Sequence, residues 1–333
     1  MMTHENPEDE LVSVVIPAYN CERTIGETLA SVRAQTHRRL EILVVDDGSK
    51  DGSASVVRSH AEADDRVRLI PQANGGVAAA RNAGILAARG RFVAPVDADD
   101  LWRPRKIERQ LRTMLAGGEY VGLVYCWSSV IDQASNVISR DGKASFAGDV
   151  VPQIFYGNFV GNGSSALMRR DVVLAAGGYD TSLRAQHAQG CEDWKLYLAI
   201  AGTHNFSVVP DYLVGYRYIV GAMSGDVSQM LRSDAIVRAE ILERYPEYKA
   251  ELEWGRRHYI TWQLERESEN GNRENLEILF EELLKTETNP LRSVARRQII
   301  RAKAAKRRIG KTRSLGAFEG PFLVSGSQGQ AAG

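Results

Sequence analysis

The chain has 333 residues, 44% hydrophobic and 25% charged, with 42 Lys and Arg against 42 Asp and Glu. A chain of that length and balance buries a full core without disulfide or metal staples, and its composition excludes a disordered, collagenous or disulfide-scaffold protein. No run approaches the roughly 18 apolar residues that a membrane-spanning helix needs.

Met1 to Glu10 is polar and acidic, without a charged lead into an apolar stretch, so residues 1–10 read as a flexible N-terminus with no secretory signal. Leu11–Ile16 reads as the first strand, and Ile25, Leu29 and Val32 place one apolar face on the helix after it. Further strands are expected at Leu40–Val45, Val67–Ile70, Arg91–Val96 and Tyr120–Cys126, with an Ala-rich helix over Val77–Ala88. Strand and helix alternate, which is the pattern of a mostly parallel sheet flanked by helices. A strand at Ser165–Met168, a helix at Glu192–Ala201 and apolar runs at Phe206–Val209 and Tyr212–Val220 continue the same α/β domain, placed at residues 11–226. From Val227 the spacing is helical, over Leu231–Tyr245, Tyr248–Glu267 and Leu276–Lys285, with breaks near Pro246, Gly271 and Pro290.

Residues 227–315 are thus a helical C-terminal region, and 316–333, rich in Gly, Ser and Gln, are expected to be a disordered tail. Between Leu291 and Leu315 stand ten Lys and Arg and no acidic residue, leaving 32 basic against 42 acidic residues elsewhere. This basic segment, with a thin apolar stripe of Val294, Ile299, Ala302 and Ile309, suits three settings: an anionic membrane surface, a nucleic acid, or a solvated helix packed on the acidic body. Cys21, Cys126 and Cys191 are odd in number, far apart and not at metal-ligand spacing, which fits a reducing compartment and a cytoplasmic protein.

The chemistry concentrates at strand ends. Phe92–Val96 runs into Asp97-Ala98-Asp99-Asp100. Carboxylates crowded at the end of a buried strand repel one another, and a hard divalent cation relieves that. The competing reading makes Asp100 the cap of a helix beginning near Pro104. Pro17-Ala18-Tyr19-Asn20 follows the first strand; Pro17 is expected to stop the ladder there, and Tyr19 offers an aromatic face for a nucleobase. Asp46-Asp47-Gly48-Ser49 follows the second strand and suits a turn that accepts hydrogen bonds from a base or a ribose. Asn74-Gly75-Gly76 opens a helix with N–H groups expected to face an anion, and Arg81 adds a cation one turn in; the spacing is not the GxGxxG dinucleotide fingerprint. Far downstream, Glu192-Asp193-Trp194 presents a carboxylate beside an aromatic wall. Asp193 there suits a proton acceptor, unless the two acids merely favour the dipole of their own helix.

In order and spacing, Val14-Val15-Ile16-Pro17-Ala18-Tyr19-Asn20, Val44-Val45-Asp46-Asp47-Gly48-Ser49, Asn74-Gly75-Gly76 through Arg81-Asn82, Asp97-Ala98-Asp99-Asp100-Leu101-Trp102, Gly177-Gly178-Tyr179-Asp180 and Glu192-Asp193-Trp194 resemble the family 2 glycosyltransferases over about residues 11–225. The resemblance implies a GT-A fold, a nucleotide-sugar donor such as a UDP-sugar, Mn²⁺ or Mg²⁺, and transfer with inversion to a glycan or glycolipid hydroxyl in cell-surface polysaccharide or glycolipid assembly. It places Pro17, Tyr19, Asp47, Gly76 and Arg81 at the donor, Asp97 at the ribose or metal, Asp99 at the metal and Asp193 as base. Gln229-Met230-Leu231-Arg232 is followed by Ser233, not by the Trp of processive synthases, so transfer of a single sugar is expected. Lipid-linked acceptors elsewhere in the family favour a peripheral contact of residues 291–315 with the inner face of the membrane over nucleic acid. A sugar-1-phosphate nucleotidyltransferase would carry a Gly-rich basic loop after the first strand, where this chain has Pro17-Ala18-Tyr19-Asn20. A non-catalytic sugar-nucleotide binder would have no need of both Asp99 and Asp193.

Overall fold

Val12, Val14 and Ile16 of the first strand enter one apolar cluster and Val15 enters another, all fully buried. A strand buried on both faces belongs to a sheet covered by helices on each side, as the unbroken apolar runs suggest. The computed structural model describes residues 6–140, 142–218, 225–286 and 320–323.

In chain order the elements are β1 (Val12–Ala18), α1 (Ile25–Arg33), β2 (Leu40–Asp46), α2 (Ser53–Ala63), β3 (Val67–Pro71), α3 (Val77–Ala87), β4 (Phe92–Pro95), β5 (Leu101–Trp102), α4 (Lys106–Ala116), β6 (Val121–Ile131), β7 (Val137–Arg140), α5 (Val151–Tyr156), β8 (Ala166–Arg169), α6 (Arg170–Ala175), α7 (Ser182–Ala185), α8 (Glu192–Ala201), β9 (Asn205–Arg217), α9 (Val227–Arg244), α10 (Lys249–Asn270) and α11 (Arg273–Thr286). The sheet runs β3-β2-β1-β4-β8-β6-β9-β5, and β7 also pairs with β6. β1 to β4 are parallel, β8 is antiparallel to both β4 and β6, and β9 is parallel to β6. α3 lies close on β1 because Gly84 leaves room: a Cβ there would stand 2.4 Å from Val15 Cγ1.

Several expectations need correction. Pro17 does not stop the ladder but lies inside β1, opposite Val45. Hydrogen bonding alternates along a parallel strand: Val12 donates to Arg39 O beside β2, and Val15 accepts from Val96 on the β4 side. The missing Pro17 N–H therefore falls on the β4 side, beyond the end of that strand at Pro95. The runs at 206–209 and 212–220 form one strand through Arg217, because Pro210 and Asp211 bulge out while Cys126 pairs with Val209 and Trp127 with Tyr212.

The termini depart as well. Within residues 1–10, Pro7–Asp9 forms a capped turn, and Glu10 pairs with Arg91 at 3.2 Å. Within 316–333, residues 320–323 are docked on the sheet, with Phe322 fully buried. The basic segment 291–315 lies outside the described residues. Helical structure begins at Val227, but α9 and α10 place Val237, Ile241 and Leu252 in the same cluster as Val15 and Trp194, so the core is continuous across that point. No helix among the described residues is long and apolar enough to cross a membrane.

Candidate active site

The carboxyl ends of β1, β2 and β4 meet at one rim, the place where open α/β sheets take ligands. The loops after β1 and β2 are stitched together there. Asn20 N–H donates to Ser49 Oγ (3.1 Å), Lys50 N–H to Asn20 Oδ1 (2.8 Å) and Gly52 N–H to Glu22 Oε2 (2.9 Å). Asn20 takes a left-handed φ of 48° to make this possible, a conformation Asn tolerates better than most residues. Tyr19 is left 52% exposed on the rim, open to a planar ligand.

Asp47 behaves differently from expectation. Its buried carboxylate accepts from Gln72 Nε2 (2.7 Å), Gly75 N–H (2.7 Å) and Gly76 N–H (2.8 Å). The two glycine amides expected to face a ligand anion are therefore satisfied by a protein carboxylate. Gly76 keeps another use: at φ 88°, with Arg184 Cδ 2.9 Å from where a Cβ would be, its position admits no larger side chain without a shift.

The three carboxylates after β4 have three different environments. Asp97 accepts from Arg81 Nη2 at 2.5 Å, and its N–H donates to Ser164 Oγ (3.0 Å). Asp100 is fully buried, accepting from Ser164 Oγ (2.5 Å) and from the Arg217 amide (2.9 Å), and neither caps a helix nor reaches solvent. Burial, with Asp99 and Asp97 beside it, pushes the Asp100 carboxyl well above the usual range. Asp99 lies between these two, pushed up to about 6 by burial and by the charge of Asp97. A carboxylate kept partly buried beside a second one is destabilised as an anion, and a hard cation on both would relieve it. The donor set is all oxygen, which suits Mg²⁺ or Mn²⁺ better than Zn²⁺. No group of three or more His, Cys, Asp or Glu among the described residues is arranged to hold a metal alone. Asp99 and the Asp97 oxygen left free of Arg81 fit an ion that takes its remaining ligands from water and a diphosphate.

Asp193, in the first turn of α8, is brought to the same cluster through Arg81. The buried Arg81 guanidinium lies over the Tyr179 ring, 5.1 Å from its centroid, and its electrostatic neighbours are Asp97, Tyr179 and Asp193. Burial raises the Asp193 carboxyl to about 6 despite the opposing pull of Arg81. Asn158 Nδ2 donates to its Oδ2 (3.1 Å), which orients the group. Glu192 turns inward instead, accepting from the Gly190 N–H at 2.7 Å. The two acids therefore do more than complement a helix dipole. One is a partly buried carboxylate whose basicity is raised, as a proton acceptor requires.

Three parts of this site were not found from the sequence. Ser164 holds both Asp97 and Asp100. Gly163 makes room for Arg81, since a Cβ there would stand 2.5 Å from its Nη2. Arg217 is buried and donates to Asp99 O (2.7 Å), to Asp132 O and Gln133 O (both 3.0 Å) and to Glu27 Oε2 (2.8 Å). The signal available for the first two was the run of small polar residues Asn162-Gly163-Ser164-Ser165 just before a strand; for Arg217 it was a cation inside an apolar strand. The cysteines take no part. All three are unpaired, and burial pushes the Cys21 and Cys126 thiols up to about 11, away from nucleophilic use at neutral pH.

Comparison with known proteins adds to this geometry. The family model described as Glycosyl transferase family 2 matches residues 13–175. The putative glycosyltransferase EpsH of Bacillus subtilis (strain 168) is 34% identical over 173 residues, 50% of this chain and 49% of its own length. The putative teichuronic acid biosynthesis glycosyltransferase TuaG of the same organism is 39% identical over 115 residues, 34% of this chain and 44% of its own. The chain thus spans about half or less of these curated relatives. Among solved structures, S. aureus TarS 1-349 in complex with UDP-GlcNAc aligns with a TM-score of 0.60 at 17% identity, covering 86% of this chain and 83% of that one. The mannosyltransferase PcManGT from Pyrobaculum calidifontis, in complex with GDP-Man and Mn²⁺, aligns with a TM-score of 0.54 at 21% identity, covering 90% and 87%. At such identities the likeness is one of fold.

Proposed function

With residues 13–175 forming a family 2 glycosyltransferase domain on a GT-A fold, we propose that this chain transfers a single sugar, with inversion, from a nucleotide-diphosphate sugar to a hydroxyl acceptor. The observation that carries this reading is the ion pair of buried Arg81 with Asp97, with two further carboxylates raised by burial, Asp99 and Asp193, both within its electrostatic reach. Direct displacement needs one group to accept the acceptor's proton and another to steady the leaving diphosphate. Asp193, oriented by Asn158, takes the proton from the attacking hydroxyl. Arg81 holds Asp97 in place and, through its charge, keeps Asp193 ionisable near neutral pH. Tyr19 stacks on the base, and the Asp47 turn, braced by Gly75 and Gly76, fixes the loop beside it. A divalent cation, Mn²⁺ or Mg²⁺, on Asp99 and Asp97 would neutralise charge gathering on the leaving diphosphate.

A UDP-sugar is the proposed donor, supported by the UDP-GlcNAc complex of the TarS fold relative, with GDP as the alternative that PcManGT represents. The acceptor is proposed as a glycan or glycolipid of cell-surface polysaccharide assembly, in line with the name of TuaG. The place of action is the cytoplasmic face of the membrane, with residues 291–315 on anionic lipid. Thermal shift with UDP-, GDP- and dTDP-sugars, each with and without Mn²⁺, tests the donor reading. A metal-dependent rise with one nucleotide supports it, and no rise with any of them removes it. Sedimentation with anionic vesicles, comparing the full chain with one ending at Pro290, tests the membrane contact: equal binding defeats it.

A further inference from the structure

Gly215, inside β9, leaves space for a ring that comes from more than a hundred residues further along the chain. A Cβ on Gly215 would meet Phe322 Cδ1 at 3.0 Å, and Phe322 is fully buried. Its ring joins Leu101, Ile131 and Val137 in a cluster separate from the two sheet cores. The Arg103 guanidinium covers it, 4.6 Å from the centroid. The main chain is fastened too: Phe322 N–H donates to Ser135 O (2.8 Å), Val137 N–H donates to Gly320 O (3.3 Å), and Pro321 bridges Asn136 in antiparallel register.

The docking surface is the frame of the acidic loop. Leu101 and Gly215 are direct partners in the β5–β9 pair. Leu101 follows Asp100 in the chain, and Gly215 stands two residues before Arg217. Ser135, whose carbonyl takes the Phe322 amide, is held at a left-handed φ of 64°. Its hydroxyl accepts from Arg217 Nη2 (3.1 Å) and donates to Glu27 Oε2 (3.0 Å). Arg217 in turn holds Asp99 through its carbonyl and Asp100 through its carboxylate. One ring thus packs on both strands that border the loop, and one amide fixes the turn that holds its arginine.

We propose that Phe322 is a positioning residue for the candidate metal and diphosphate end of the site: docking of Gly320–Leu323 over the Leu101–Gly215 pair sets the place of Asp99. Phe322 touches no substrate and acts through Arg217 and the β5–β9 pair. The functional consequence rests on the donor reading above, whereas the positional claim stands without it.

The test uses the full chain with Phe322→Ala and with the more conservative Phe322→Leu. Hydrogen–deuterium exchange is followed in peptides covering residues 97–103, 129–137 and 213–218, with 12–18 and 40–46 as controls. UDP affinity is measured by calorimetry with and without Mn²⁺. Phe322→Ala is expected to speed exchange in the first three peptides and not in the controls, to weaken UDP binding about tenfold with Mn²⁺, and to leave metal-free UDP binding unchanged. Phe322→Leu is expected to restore most of both. Faster exchange confined to 135–137 with the acidic loop unchanged overturns the proposal. So does faster exchange throughout the sheet, which would make Phe322 a general core residue, or an equal loss of UDP affinity with and without Mn²⁺. If the unaltered chain shows no Mn²⁺-dependent UDP binding, the donor reading falls, and the exchange pattern still decides whether Phe322 positions the loop.

Discussion

Replacing Asp99 with Asn should make the metal-free protein more stable while removing its metal-dependent donor binding. The Asp99 carboxyl is held up to about 6, from an ordinary 3.8, by burial and by Asp97. A rise of about two units is roughly 3 kcal/mol against the charged form. The folded protein then holds more protons than the unfolded chain between about pH 4 and 6, so this group's contribution to stability falls as pH rises through that window and the penalty is complete above about 7. Asn keeps the shape and removes the charge. Because Asp97 remains and its side chain is 28% exposed to screening water, the gain should be about 1–2 kcal/mol, or roughly 1.5–3 °C in melting temperature for a chain of this size. Differential scanning calorimetry in EDTA at pH 7.5 and pH 4.5 reads it. The variant should melt higher at pH 7.5, with the difference shrinking toward pH 4.5, and adding UDP with Mn²⁺ should raise the unaltered protein alone. A variant that melts lower at pH 7.5, or whose advantage is the same at both pH values, would refute the assignment of Asp99 as a strained site charge.

Asp193→Asn should leave Mn²⁺-dependent UDP binding nearly intact while lowering turnover about 10²- to 10⁴-fold, the range of a lost general base; unchanged turnover in a coupled UDP-release assay removes Asp193 from that role. In the unaltered enzyme kcat/KM should fall as pH drops through about 6, because Asp193 acts only without its proton and Asp99, also held up to about 6, takes the metal only without its own. Gly163→Ala places a methyl group 2.5 Å from Arg81 Nη2, so it should displace the Arg81–Asp97 pair and lower donor affinity more than it lowers melting temperature. Gly84→Ala, with its Cβ 2.4 Å from Val15 Cγ1, should do the reverse: urea titration should show a loss of about 1–3 kcal/mol in stability, with turnover per folded molecule unchanged.

The parallel strands, the helices that cover them and the strand ends and helices that carry Tyr19, Asp47, Arg81, Asp97, Asp99 and Asp193 could be read from the sequence, because each element depends on a local pattern. Apolar period, a glycine at a turn, or acids at the end of a strand are written within a few neighbouring residues. The helix Glu192–Ala201 matches the expected bounds at both ends. Local pattern also misled where a distant partner decided the outcome: Pro17 stays in β1 because β4 ends beside it, and Gly75 and Gly76 turn their amides to Asp47.

What tertiary structure alone decided is the division of labour among the carboxylates. Asp97, Asp99 and Asp100 are near-identical in sequence context, yet Arg81 claims the first, while Ser164 and the Arg217 amide bury the third. The partners of Asp100 lie 64 and 117 residues away along the chain, and Phe322 reaches the same loop from farther still. A side chain's charge and proton affinity follow from what surrounds it in space, and no spacing along the chain encodes those neighbours until the sheet has brought its strands together.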